Sequence, residues 1–134
     1  MTTTNVETKN VELIRKGFEA FAAGNMAVLG ELFDSNANWH GAAAGILKGD
    51  YRGREAIFAM FAQLHQETGG TFASKPVAMA AAGDKVFVQT EVSGERNGRK
   101  LNDGEVVIFT LADGRVSAVH LYIANYPEAL AFGS

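Results

Sequence analysis

The chain has 134 residues, of which 47% are hydrophobic and 20% charged, and this composition is typical of one globular domain. A net charge of -3 excludes the strongly basic surface used for nucleic acid, and the absence of cysteine excludes disulfides, thiol nucleophiles and thiolate metal sites. No apolar run approaches the roughly 18 residues of a membrane span, and MTTTNVETKN lacks an apolar signal core. We therefore expect a soluble cytoplasmic protein that binds no membrane.

The first half of the chain has the apolar spacing of amphipathic helices. Apolar residues three and four positions apart predict a long helix over residues 5–23, a short helix over 26–33 and a third helix over 54–67. A brief extended segment is predicted at 37–40. The glycine-rich loop that follows, 41–49, interrupts regular structure before the third helix.

The second half has the alternating pattern of strands. Three turn signals, Gly83-Asp84, Asn97-Gly98 and Asp113-Gly114, separate runs rich in Val, Phe, Ile and Thr. They predict four antiparallel strands that follow the helices. The fold class is therefore α+β, with helices covering one face of a sheet.

Two-residue turns would fix the register of these strands and assign each side chain to a face. One face then carries Val77, Met79, Val86, Val88, Thr90, Glu105, Val107, Phe109, Ala118, His120 and Tyr122. The other face carries Ala78, Ala80, Phe87, Gln89, Glu91, Val106, Ile108, Val119, Leu121 and Ile123. Because both faces are apolar, the sheet needs two covers, and we expect the helices to supply one and a second subunit the other.

The order of these segments resembles the nuclear transport factor 2-like superfamily, and most closely its SnoaL-like polyketide cyclase and ketosteroid isomerase-related branch. The resemblance rests on "AFAAGN", "LGELF", "GDYRGREAI", "FAMFAQL" and "DGRVSAVHLY" in this order. It implies a single domain over residues 1–134 with a cystatin-like α+β barrel fold. In that fold a cone-shaped, curved antiparallel sheet wraps around three N-terminal helices, encloses an apolar pocket and commonly forms a dimer.

The catalytic residues of these relatives do not carry over. Ketosteroid isomerases use a Tyr, an Asp base and a protonated Asp, and these positions fall at Gly17, Gly41 and Val106 or Val107. The cyclase base position is Leu121, and Asn125 stands where many relatives have an Asp. The resemblance thus implies the fold but not the familiar chemistry.

The resemblance also implies which face lines the pocket. Its strand residues would be Phe87, Gln89, Val106, Ile108, Val119, Leu121 and Ile123, joined by Phe18, Phe21, Trp39, Tyr51, Phe58, Phe61, His65 and Asn125. Glu91 on the same face and His40 at the pocket lip are the candidate bases. The alternatives are a solvated Glu91, a rim His40, a surface His65 and a Trp39 that belongs to an ordinary core.

The opposite face of the sheet is then predicted to form the homodimer interface, which would contain Glu105, Val107, His120 and Tyr122. The three histidines lack the spacing of common metal sites, and no nucleotide-binding loop occurs, so we expect neither metal nor cofactor.

The sequence therefore predicts a protein with a pocket for an apolar small molecule, such as a carbonyl or polycyclic compound. Whether it catalyses proton transfer as an isomerase or cyclase remains open. The alternatives are a binding module without catalysis and a structural dimer whose phenylalanines fill the cavity.

Overall fold

The computed structural model describes residues 5–42, 45 and 48–132. The helices are α1 (Asn5–Ala23), α2 (Met26–Leu32), α3 (Arg54–Glu67) and α4 (Tyr126–Phe132). The strands are β1 (Phe33–His40), β2 (Asp50–Arg52), β3 (Ala73–Ala82), β4 (Lys85–Arg96), β5 (Arg99–Ala112) and β6 (Arg115–Ile123). Within these described ranges, no helix is both long and apolar enough to cross a bilayer.

The six strands form one curved sheet in the order β2-β1-β6-β5-β4-β3. β1 runs parallel to β6, and every other neighbouring pair is antiparallel. Helices α1, α2 and α3 pack on one side, which we call the inner face, and α4 packs against β5. The α+β architecture predicted from the sequence is confirmed.

Local sequence signals are reproduced closely in the helices and turns. The helices predicted over 5–23 and 54–67 have the predicted bounds. The short helix predicted over 26–33 ends one residue early, at Leu32. At the second hairpin Asn97 and Gly98 both have positive φ, 52° and 77°, the backbone form for which Asn-Gly is favoured. The first strand is longer than expected, while β2 and α4 were not predicted.

The inner face of the sheet forms the main core with the helices. Val86 and Val88 on β4, Val107 on β5 and Val119 on β6 are all buried there. A smaller cluster of Val92, Leu101 and Phe132 joins α4 to the far end of β4 and β5. The opposite side, which we call the outer face, has no helix packed against it among the described residues.

A β-bulge in β6 overturns the predicted division of the sheet into two faces. Leu111 pairs with Val116, but Thr110 pairs with Ala118, so Ser117 is an extra residue. Its hydroxyl donates a hydrogen bond to the Thr110 carbonyl at 3.1 Å. Because one extra residue reverses alternation, Val119 shares the inner face with Phe109, whereas regular pairing had placed them on opposite faces.

The first residue of α3, Arg54, joins this helix to α2 and β1. Its guanidinium donates hydrogen bonds to the carbonyl oxygens of Gly30, at 2.9 Å, and Phe33, at 3.4 Å. These acceptors lie at the end of α2 and the start of β1, where carbonyl groups lack helical partners.

We expect Arg54→Met to lower the free energy of unfolding by roughly 1–3 kcal/mol, because it leaves two partly buried carbonyl groups without their donor. Urea unfolding would measure this loss. Arg15→Met is the matched control, since Arg15 is exposed on α1 and its ion pair with Glu12 is exposed. Equal stability of the two variants would contradict the role given to Arg54.

Candidate functional site

A cavity of ≈ 80 Å³ lies between the helices and the inner face, and it is not fully enclosed. Its described lining is apolar apart from Ser74, Glu105 and the indole nitrogen of Trp39. The lining residues are Ile14, Gly17, Phe18, Phe21, Leu29, Leu32, Phe33, Trp39, Phe61, Leu64, Phe72, Ser74, Glu105, Val107, Phe109 and Leu121. Such a space suits an apolar molecule with few polar atoms.

Glu105 is the one titratable side chain among the described residues of this lining. It lies on β5, where alternation places it on the same face as Val107 and Phe109, and only 6% of its surface is exposed. Burial, and secondarily the negative charge of Asp103, raise the pKa of its carboxyl from an ordinary 4.5 to about 8.

The surroundings of Glu105 leave its carboxyl available to a ligand. Thr90 bonds to the backbone carbonyl of Glu105 at 3.4 Å, and no described residue hydrogen-bonds to the carboxyl itself. Asp103 points elsewhere, since its Oδ1 accepts the backbone N–H groups of Gly104 and Asn125. With a pKa near 8, Glu105 is mostly neutral at pH 7 and can donate a proton or, once ionised, accept one.

Trp39 supplies the second polar atom of the lining. Pairing of β1 with Val119 of β6 and Tyr51 of β2 fixes its backbone, and its ring meets Phe61 edge to face at 5.5 Å. The side chain is buried, yet Nε1 has no hydrogen-bond partner among the described residues. A buried donor without a partner is costly, so it favours a ligand that carries an acceptor.

Gly17 brings α1 close to Leu32 where the helices enclose the cavity. A Cβ atom at Gly17 would lie 2.7 Å from Leu32 Cδ2, too close for undisturbed packing. This is the position where the resemblance places the tyrosine of ketosteroid isomerases. Here α1 contributes no polar group to the cavity from that position, and the polar groups of the described lining are those of Glu105, Trp39 and Ser74.

Phenylalanine rings in contact with one another form much of the cavity wall. Phe21 meets Phe61 at 5.1 Å and Phe72 at 6.4 Å, and Phe18 meets Phe109 at 5.8 Å, all edge to face. Edge-to-face contact is a favoured arrangement of aromatic rings. The rings leave the cavity open between them, which argues against the hypothesis that phenylalanines fill it.

The structure brings some of the predicted ligand-binding residues to the cavity. Trp39, Phe18, Phe21, Phe61 and Leu121 line it. Four others, Tyr51, Phe58, Val119 and Ile123, belong to the surrounding core but not to the described lining. A role in binding remains a prediction for all of them.

Other predicted cavity residues lie elsewhere, and their placement was wrong. The residues Phe87, Gln89, Glu91, Val106 and Ile108 are on the outer face because the bulge reverses the assignment. His65 is exposed on α3. Asn125 does not reach the cavity, and its side-chain oxygen instead accepts the backbone N–H of Glu128 at the start of α4.

The predicted bases are both outside the cavity. Glu91 is exposed on the outer face of β4. His40 is exposed on the same face of β1, where its ring stacks on His120 at 4.4 Å. Conversely, Glu105 and Val107, predicted to lie in a subunit interface, are buried on the inner face. Regular alternation had grouped them with His120 and Tyr122, which the bulge places on the outer face.

Several lining residues were not foreseen. Phe33, Phe72, Ser74 and Phe109 line the cavity but were not predicted to do so. Phe109 alternates with Val107 and Glu105 along β5, so a correct face for one of them would have identified all three. No group of three or more His, Asp or Glu side chains in the described part of the chain is arranged to hold a metal ion.

Comparison with known proteins places the fold in a family. Residues 14–119 match the model of the SnoaL-like domain. Bal32a, from a soil-derived mobile gene cassette, is 35% identical with a TM-score of 0.93, and the match covers 97% of this chain and 100% of that one. A Xanthomonas campestris protein of unknown function with a cystatin-like fold is 27% identical, with a TM-score of 0.86 and coverage of 93% and 98%.

A third solved structure extends the likeness at lower identity. It is a candidate SnoaL-like polyketide cyclase from Jannaschia, 22% identical with a TM-score of 0.77, and the match covers 92% of this chain and 90% of that one. At this identity the similarity establishes the fold alone. The family match spans most of the chain, with all of α2, α3 and β1 to β5 and parts of α1 and β6. The chain therefore belongs to the SnoaL-like domain family.

Proposed function

We propose that this protein binds an apolar small molecule in the cavity and moves a proton on it through Glu105. The observation that carries this proposal is one carboxyl group, without a hydrogen-bond partner among the described residues, in a lining whose other polar groups are Ser74 and the Trp39 indole nitrogen. A carboxyl that is neutral at pH 7 but ionises near pH 8 is suited to both steps of an isomerisation. The fold shared with a candidate polyketide cyclase favours the same kind of ligand.

The chemistry that fits is proton transfer next to a carbonyl group. Ionised Glu105 would take a proton from the carbon beside the carbonyl, and the resulting neutral acid would return it to the same or another carbon. Trp39 Nε1 would donate a hydrogen bond to the ligand, most usefully to the carbonyl oxygen on which negative charge develops. The apolar walls exclude water and so strengthen both interactions.

A second candidate is binding without catalysis. It is favoured by the presence of only one titratable group in the described lining, because many proton-transfer sites use a separate acid and base. Both candidates predict that the protein binds the ligand. Only the first predicts that replacing Glu105 slows proton transfer on the bound ligand.

The test uses 2-tetralone, a bicyclic ketone whose protons beside the carbonyl exchange with deuterium. Fluorescence of Trp39, the one tryptophan in the chain, would report binding, and proton NMR in D₂O would report exchange. We expect the protein to accelerate exchange and Glu105→Gln to lower the rate at least 100-fold with little loss of binding. Glu91→Gln, an exposed change on the outer face, should leave the rate unchanged.

Binding with equal exchange rates for the protein and Glu105→Gln would overturn the proton-transfer part and favour the binding module. Failure of 2-tetralone to perturb Trp39 fluorescence would argue against the cavity as a site for a ligand of this size.

A further inference from the structure

A second space, which we call the groove, lies beside the cavity. It has a volume of ≈ 240 Å³ and is not fully enclosed, and its described lining comes from α3, from the segment that leads into β2 and from the last residue of β4. Leu64 lines both the groove and the cavity. Tyr51 of the groove is the direct cross-strand partner of Trp39, which lines the cavity. The two spaces therefore adjoin each other.

One wall of the groove is a face of α3. It carries Met60, Gln63, Leu64 and Glu67, which are three and four residues apart and so lie on the same side of the helix. Met60 and Leu64 are buried, whereas Gln63 and Glu67 are exposed. Gln63 Nε2 donates a hydrogen bond to Glu67 Oε1 at 3.1 Å. This wall is therefore apolar where it meets the cavity, at Leu64, and polar where it meets solvent.

The groove also contains two cationic side chains. Lys48 is exposed, and Arg96 is half-buried because alternation along β4 places it on the inner face. The Arg96 guanidinium donates a hydrogen bond to the Phe132 carbonyl oxygen at 3.2 Å. A guanidinium has five N–H donors, so this bond orients the group and leaves other donors for a ligand. Among the described residues neither cation takes part in an ion pair.

The groove is a better place for an anionic group than the cavity is. It has two cations and one carboxylate, that of Glu67, whereas the cavity has mostly apolar walls and the carboxyl of Glu105. An unpaired charge among apolar groups is costly. A molecule with an apolar body and one anionic group would therefore place its body in the cavity and its anionic group in the groove.

We propose that the groove binds the carboxylate of the ligand whose apolar body occupies the cavity, so that the ligand is an amphipathic acid, such as a keto acid with an aromatic body. Lys48 and Arg96 bind the carboxylate. This contact fixes which end of the ligand enters the cavity, and hence which carbon lies near Glu105. The inference rests on the proposed function, since it takes the cavity as the site of the apolar body, and it narrows the ligand to one with an acidic group.

The test compares probes that differ in charge but not in shape. The affinities of 6-phenylhexanoate, its primary amide and 6-phenylhexylamine would be measured at pH 7 by isothermal titration calorimetry. We expect the acid to bind about tenfold or more tightly than the amide, because its carboxylate gains charge-assisted hydrogen bonds in the groove. The amine should bind no more tightly than the amide, since two cations would repel it.

Replacing either cation should remove the preference for the acid. Lys48→Gln and Arg96→Gln should each lower the ratio of acid to amide affinity at least about threefold, with circular dichroism to verify folding. Lys48→Gln leaves the Arg96 bond to Phe132 in place, and the ratio cancels any change of shape that affects both probes equally. Lys16→Gln, an exposed change on α1, is the control and should keep the ratio of the unmutated protein.

Equal affinities for the acid and the amide would overturn the groove as a carboxylate site and leave the cavity as a binding site. A preference for the acid that both variants retain would overturn the roles of Lys48 and Arg96, and tighter binding of the amine would do the same. If none of the probes bound, the groove and the cavity would both fail as ligand sites. Glu105→Gln should keep the preference for the acid, so failure of proton transfer and failure of the groove can be observed separately.

Discussion

We expect the free energy of unfolding to fall by up to about 5 kcal/mol as the pH rises from about 4.5 to about 8, because of Glu105 alone. Its pKa is about 8 in the folded protein and 4.5 ordinarily, so the folded state holds the proton more tightly than the unfolded chain. Each unit of pKa corresponds to about 1.4 kcal/mol. The stabilising contribution is complete below pH 4.5 and is lost as the pH rises through 8.

Urea unfolding at several pH values would measure this dependence, and Glu105→Gln should remove it. The amide keeps the shape of the neutral acid but cannot ionise, so the variant should be more stable than the parent at pH 8.5. If the free energies of unfolding of the unmutated protein and Glu105→Gln changed in parallel between pH 5 and pH 8.5, an abnormally high pKa for Glu105 would be contradicted.

The same burial that destabilises the ionised carboxyl of Glu105 makes it a strong base once it is formed. Most acidic residues in the described part of the chain are exposed, whereas Glu105 is buried. A buried carboxyl at a cavity wall is retained at a cost in stability above pH 7. Sites of this kind are more often functional than structural, since an apolar residue on β5 would pack there without the cost.

Local signals in the sequence were enough to predict the helices and the hairpins. The three- and four-residue spacing of apolar side chains located α1 and α3, and Asn97-Gly98 located one turn, because these features act over a few residues. The resemblance to a known family supplied the arrangement of helices on a curved sheet. Trp39 was identified as a cavity wall from its size and its position beside the glycine loop.

The face of each strand could not be predicted with the same methods, because it depends on one extra residue. Nothing in "RVSAVHLY" marks Ser117 as a bulge, and the hydrogen bond to Thr110 that accompanies it joins two strands. When the residues of β6 are counted without this extra residue, Glu105 is placed on the outer face and Glu91 on the inner face, which is the reverse of the structure. The main error arose where β6 was aligned with β5. A second register shift, between Pro76 and Ala78 of β3, leaves Val77 exposed, although it was predicted to share a face with Val86 and Val88.

Two neighbouring valines provide a direct test of this register. Val107 is 4% exposed beside Glu105 on the inner face, whereas Val106 is 42% exposed on the outer face. We expect Val107→Asp to cost at least about 3 kcal/mol, because it buries a second carboxylate among apolar groups next to one that already resists ionisation. We expect Val106→Asp to change the free energy of unfolding of the single chain by less than about 1 kcal/mol. Urea unfolding of both variants at dilute protein and pH 7 would measure the contrast. If Val106→Asp were the more damaging change, the inner face would have to carry the opposite set of β5 side chains, and Glu105 would no longer lie in the cavity.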